Sequence, residues 1–189
     1  MKWTTAILIM SIAAWCSPLF AVPAQIIIIR HAEKVPHQKD PSLSQKGRER
    51  AAAFIAYFTG NPDVLDFGPP VAIYAQRPSK VFDTLRPIET VQGLAKTLGI
   101  ELNTKYKSNE YSAMLREIMV EPEYTGKMVL ICWQRYAIPN MAESLRVISA
   151  PKAWPGSSFD RNWFFNFYTR EGPSFRNSPQ KLMFGDSEK

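Results

Sequence analysis

Four consecutive isoleucines, Ile26-Ile27-Ile28-Ile29, run directly into Arg30-His31. Four β-branched side chains in a row leave no polar face. The segment therefore predicts a strand covered on both sides, as in the interior of a mainly parallel sheet. The carboxyl end of such a strand is where open α/β sheets gather their ligand sites. An arginine and a histidine at that end are the first candidates for chemistry.

The rest of the chain alternates in the same way. Ser44 is suited to cap a helix whose Ala51, Phe54, Ile55 and Phe58 recur at helical spacing and which closes at Gly60-Asn61-Pro62. Val71 to Ala75 reads as a second strand. Pro87 suits the first turn of a helix with Ile88, Val91, Leu94, Ala95 and Leu98 on its inner face, ended by Gly99. Tyr111 to Met119 predicts a shorter amphipathic helix, Met128 to Trp133 a third strand, Ile138 to Ile148 another helix, and Asn162 to Tyr168 a last strand. Alternating strands and helices predict an α/β fold, a three-layer α/β/α sandwich with a mainly parallel central sheet. With 189 residues, 46% of them hydrophobic, residues 25–189 suit one domain with its own core.

Residues 1–24 have a different character. Lys2, an apolar stretch from Ala6 to Ala14, Ser17-Pro18 and small residues at Ala21 and Ala24 give the layout of a secretory signal peptide. Cleavage is expected after Ala21 or Ala24, with a periplasmic or secreted product. The apolar core is well short of the roughly 20 residues of a membrane span. Loss of Lys2 and Cys16 takes the formal charge from +6 to +5 and leaves Cys132 as the one cysteine, too few for an internal disulfide. Cys132 lies inside an apolar run and is expected to be a buried, inert thiol. There is no phosphate-binding P-loop, no EF-hand and no zinc-type Cys/His spacing, and two histidines offer little to a transition metal. The basic charge and 12% aromatic residues could serve nucleic-acid binding, but export argues against it.

Four segments together resemble the histidine phosphatase superfamily, the phosphoglycerate-mutase-like proteins. They are Ile26 to Lys34; Leu43-Ser44 with Gly47 and Ala51; Arg86-Pro87-Ile88-Glu89-Thr90-Val91; and Val129 to Pro139. The resemblance implies a phosphoglycerate-mutase-like fold without a metal or other cofactor, and a phosphomonoester hydrolase that forms a phosphohistidine on His31. It implies phosphate binding by Arg30 and Arg86, with Arg77 a competing candidate for the second place, and Glu110 as the proton donor. Glu33, near His31 in sequence, is expected to be structural or to line the pocket. The implied partner is a phosphorylated small molecule or inorganic phosphate.

One departure stands out. Relatives present a second histidine after the late strand, where this chain has Arg135 beside Gln134. His37 is in the loop after the first strand and reads as a solvated residue. Arginine supplies permanent charge and planar donors suited to phosphate, so Arg135 is a third candidate phosphate ligand. The longer side chain could equally misalign the nucleophile. The alternative is therefore a catalytically degraded member that binds phosphate, a phosphorylated ligand or a protein.

Overall fold

The computed structural model describes residues 22–36, 40–169 and 172–188. His37 and the segment read as a signal peptide, apart from Val22 to Ala24, lie outside the described residues. In chain order the elements are β1 (Gln25–Arg30), α1 (Gln45–Gly60), β2 (Ala72–Ala75), α2 (Arg86–Leu98), β3 (Leu102–Asn103), α3 (Tyr111–Val120), β4 (Met128–Trp133), α4 (Ile138–Ser144), β5 (Arg161–Asn166) and β6 (Ser174–Pro179). Short 3-10 turns precede α3 at Ser108–Glu110 and follow it at Pro122–Tyr124.

The strands form one sheet in the order β3-β2-β4-β1-β5-β6. β1 to β4 are mutually parallel where they pair, while β5 and β6 are antiparallel additions. β1 is paired on both edges, and Ile26 to Ile29 are fully buried. Each isoleucine so placed contributes about 1.5–3 kcal/mol relative to exposure. Ile26 and Ile28 face one core with Val129, Ile131, Met114, Ile118 and Met141, from β4, α3 and α4. Ile27 and Ile29 face the other with Phe54, Phe58, Val91 and Leu94, from α1 and α2. The result is the expected three-layer α/β sandwich.

Three expectations need correction. The predicted helix from Ile138 to Ile148 stops at Ser144, because Arg146 turns the chain at φ 60 and Ile148 is exposed. The strand at Asn162 is not the last: polar Ser174–Pro179 adds an edge strand outside it. The inner face of α1 is rotated towards Gly47, Arg50, Phe54, Tyr57 and Phe58, with Ala51 and Ile55 only half-buried.

α1 meets the end of β1 through tight local chemistry. The Ser44 hydroxyl accepts from Gly47 N–H and donates to the Glu33 carbonyl. A Cβ on Gly47 would lie 2.3 Å from the Glu33 carbonyl oxygen, so the helix can approach this closely only with glycine there. Arg50, fully buried on the same face, donates to both Glu33 and Asp186. Gly47→Ala should cost ~1–3 kcal/mol in chemical denaturation, the range for overpacking against rigid surroundings; an unchanged midpoint would show that this joint can relax.

Candidate active site

The parallel register pairs Arg30 with Trp133, which sets His31 level with Gln134 at the carboxyl ends of β1 and β4. His31 is 5% exposed and Arg30 4%. The loop after β1 is tied to α2: Ala32 N–H donates to the Thr90 hydroxyl at 2.9 Å, and that hydroxyl donates to the Arg86 carbonyl at 2.7 Å. α2 begins where the chain must turn under this loop, with Pro87 in its first turn. The Leu43 N–H donates to the Glu89 carboxylate and the Arg86 guanidinium to the Asp40 carbonyl, so the start of α2 also holds the segment leading into α1.

The imidazole of His31 is fixed in one form. Its Nδ1 lies 2.7 Å from the Ala32 carbonyl oxygen. A carbonyl only accepts, so Nδ1 carries the proton. Burial first, and then the charges of Arg30, Arg86 and Lys34, push the imidazole down to about 3 against the partial support of that hydrogen bond. At neutral pH the ring is therefore uncharged, with its lone pair on Nε2. That is the form a nucleophilic histidine requires.

Cations surround it. Burial, the neighbouring Arg135 and then Arg86 push the Arg30 guanidinium down to about 10, and it remains charged at neutral pH. Burial also lowers Arg86. Both guanidinium groups keep a buried Nε without a hydrogen-bond partner, as does the side-chain amide nitrogen of Gln76 at the end of β2. Buried donors without acceptors are costly. Two of them on arginines whose charges act on His31 fit an anion with several oxygens. Arg77, the competing candidate, is exposed, and its backbone amide donates to the Tyr106 carbonyl.

Of the remaining candidates Arg135 acts on Arg30, whereas Glu110 lines a cavity to which His31, Arg30 and Arg86 do not contribute. Arg135 is half-buried, donates to the Tyr136 hydroxyl at 2.5 Å and the Trp154 carbonyl at 3.5 Å, and stands with its Cζ 4.0 Å from the Tyr136 ring centre. Its charge bears on Arg30. Gln134 is engaged structurally, its amide donating to the Ser108 hydroxyl and accepting from Tyr136 N–H. Glu110 closes the turn before α3 by accepting from Lys107 N–H at 2.7 Å, and lines a cavity of about 580 Å³ with Val81, Phe82 and Ser108. Glu33 points towards Arg50 and Lys46. Cys132 is wholly buried, and desolvation pushes its thiol upward, away from reactivity. Among the described residues no group of histidine, cysteine and carboxylate side chains could hold a metal ion, and no helix is long and apolar enough to cross a membrane.

Sequence reading missed two contributors. Thr90 positions the loop after His31; its place one turn after Arg86 was a signal. Phe159 comes within 6.1 Å of the His31 ring and stacks at 3.7 Å on the Arg30 guanidinium. Nothing in its local sequence marks that long-range contact.

The His31 environment sets a pH dependence. Between pH 6.5 and about 3 the unfolded chain binds a proton on this imidazole that the folded chain refuses, so folding stability should fall as pH drops through that window. Urea denaturation should show a larger loss from pH 7 to pH 4.5 in the wild type than in His31→Gln; equal losses would contradict the buried neutral ring.

No protein-family model and no curated protein sequence matches the chain. Solved structures do. A mycobacterial glucosyl-3-phosphoglycerate phosphatase complexed with VO3 aligns with a TM-score of 0.54 at 13% identity, covering 85% of this chain and 100% of its own. The same phosphatase with inorganic phosphate gives 0.50 at 13%, covering 82% and 95%. The phosphoglycerate mutase of Bacillus anthracis str. Sterne gives 0.52 at 12%, covering 85% and 93%. At such identities the likeness is one of fold. The chain has the phosphoglycerate-mutase-like α/β fold.

Proposed function

We propose that the protein is a phosphomonoester hydrolase acting through a phosphohistidine on His31. The observation that carries this reading is an uncharged imidazole with a free Nε2, acted on by two arginines, Arg30 buried and Arg86 half-buried, that each retain a buried, unpaired Nε. Phosphate and VO3 complexes of the structural neighbour support the same ligand chemistry. In the first half-reaction Nε2 attacks phosphorus and the bond to the leaving oxygen breaks. Arg30, Arg86 and Arg135 offset the charge of the phosphoryl oxygens. Glu110 gives its proton to the leaving oxygen. In the second half-reaction water attacks the phosphorus and gives its proton back to Glu110, the bond from phosphorus to Nε2 breaks, and phosphate leaves the neutral ring restored.

Hydrolysis of an aryl phosphate should be lost on His31→Ala, and undiminished turnover in that variant would overturn the assignment. Glu110→Gln should slow an alkyl phosphate by ~10²–10⁴ and an aryl phosphate much less, since a phenolate leaves without help. Equal slowing of both would remove Glu110 as the acid.

A second reading is favoured by one observation: Arg135, where the family resemblance implies a histidine, is engaged with Tyr136 and Trp154. In that reading the pocket binds phosphate without turnover. Calorimetric phosphate binding with no hydrolysis, and turnover gained in Arg135→His, would select it.

We further propose export through a cleaved signal peptide. Val22 to Ala24 belong to the folded domain: the Val22 carbonyl accepts from Gly126 N–H, and Ala24 pairs with Lys127 and Phe167. Cleavage after Ala21 leaves these contacts intact, so the exported protein should begin at Val22. Recovery of the full-length chain from the cytoplasm alone would contradict export.

A further inference from the structure

The guanidinium of Arg30, one of the proposed phosphate ligands, is held by the protein itself. Its Nη1 donates to the carbonyls of Gly156 at 2.8 Å and Ser158 at 2.9 Å, and Phe159 lies flat against its Cζ at 3.7 Å. The centre of the same ring stands 6.1 Å from that of His31, the two planes tilted by 56°. Two carbonyl oxygens thus occupy Nη1 of Arg30, a donor that a phosphoryl oxygen could claim beside the unpaired Nε, and the Phe159 ring covers the guanidinium.

The segment is tied within itself. Ser158 N–H donates to the Pro155 carbonyl and Trp154 Nε1 to the Ser158 carbonyl, so residues 154–158 close a turn on themselves. Its ends are fixed. Trp154 is buried against Trp163, and Asp160 is buried, its carbonyl accepting from Gln180 N–H and its carboxylate from Ser187 N–H. Between them Pro155, Gly156 and Ser157 are exposed. Behind the turn is a polar cavity of about 360 Å³ lined by Ser157, Ser158, Phe159 and Arg50, in place of close packing. Gly156 rests on the Arg135 guanidinium, where a Cβ would come within 3.5 Å of Cζ. The turn is therefore gripped by two arginines that repel each other.

We propose that Gly156–Phe159 is a self-inhibiting gate, whose carbonyls are exchanged for phosphoryl oxygens when an anionic ligand enters. The exchange is favourable because a phosphate dianion adds direct charge pairing and a bidentate fit to the guanidinium, which neutral carbonyls do not offer. The anion also relieves the repulsion between Arg30 and Arg135. In the free protein the closed gate reduces the apparent affinity to the intrinsic affinity multiplied by the open fraction. This inference rests on the phosphate-pocket reading given above.

Inorganic phosphate is the probe, with the full chain followed by hydrogen exchange and calorimetry. Saturating phosphate should speed amide exchange in residues 154–160 of the wild type, against the usual slowing on ligand binding. Phe159→Ala, which removes the stacked ring, should bind phosphate about fivefold or more tightly. Phosphate binding with exchange in 154–160 unchanged or slowed overturns the gate and leaves the phosphate pocket standing. Failure of both the wild type and Phe159→Ala to bind phosphate overturns the pocket and the gate with it. The exchange measurement needs no variant, so it decides even where Phe159→Ala folds poorly.

Discussion

The pairing of β1 on both edges fixes everything that follows. A strand held by β4 on one side and β5 on the other, and buried on both faces, cannot slip by one residue without exchanging its isoleucines between the two cores. That register puts His31 just past the sheet, within reach of a carbonyl that selects its tautomer and of arginines delivered by other elements. The chemistry is a consequence of where a hydrophobic strand has to stop.

The charges around that stop form two systems with different purposes. Glu33, Arg50 and Asp186 are an internally paired network that fastens α1 and the final residues to the loop after β1. Asp186 also accepts from Leu182 and Met183 N–H; against the opposing effect of burial, the Arg50 hydrogen bonds first and then these two hold its carboxylate below the usual range. Arg30, Arg86 and Arg135 have no carboxylate partners among the described contacts and rest on backbone carbonyls. Paired charges build the scaffold; cations resting on neutral acceptors are the ones an anion can claim.

Much of this was legible in sequence because it is local. The isoleucine run, the Ser44 cap, Pro87 and Gly99 around α2, and Arg30-His31 at a strand end are all signals within a few residues. What was hidden depends on long separations or on the backbone. β3 is only Leu102–Asn103, too short for any periodicity. β6 is a polar edge strand whose Ser, Arg and Asn carry no hydrophobic alternation. Arg50 was passed over because a charged residue on a helix is ordinarily solvated; its partners are 17 and 136 residues away. The hold of Gly156 and Ser158 on Arg30 uses carbonyl oxygens, which every residue has and no sequence pattern marks.

The central claim is that His31 Nε2 takes the phosphoryl group. Rapid acid-free quenching of the wild type with a labelled aryl phosphate, followed by mass spectrometry of the peptides, reads this directly. An acid-labile, alkali-stable phosphoryl group should appear on His31, forming and decaying at rates compatible with turnover. Turnover with no label on His31, or with the label on another residue, would contradict it.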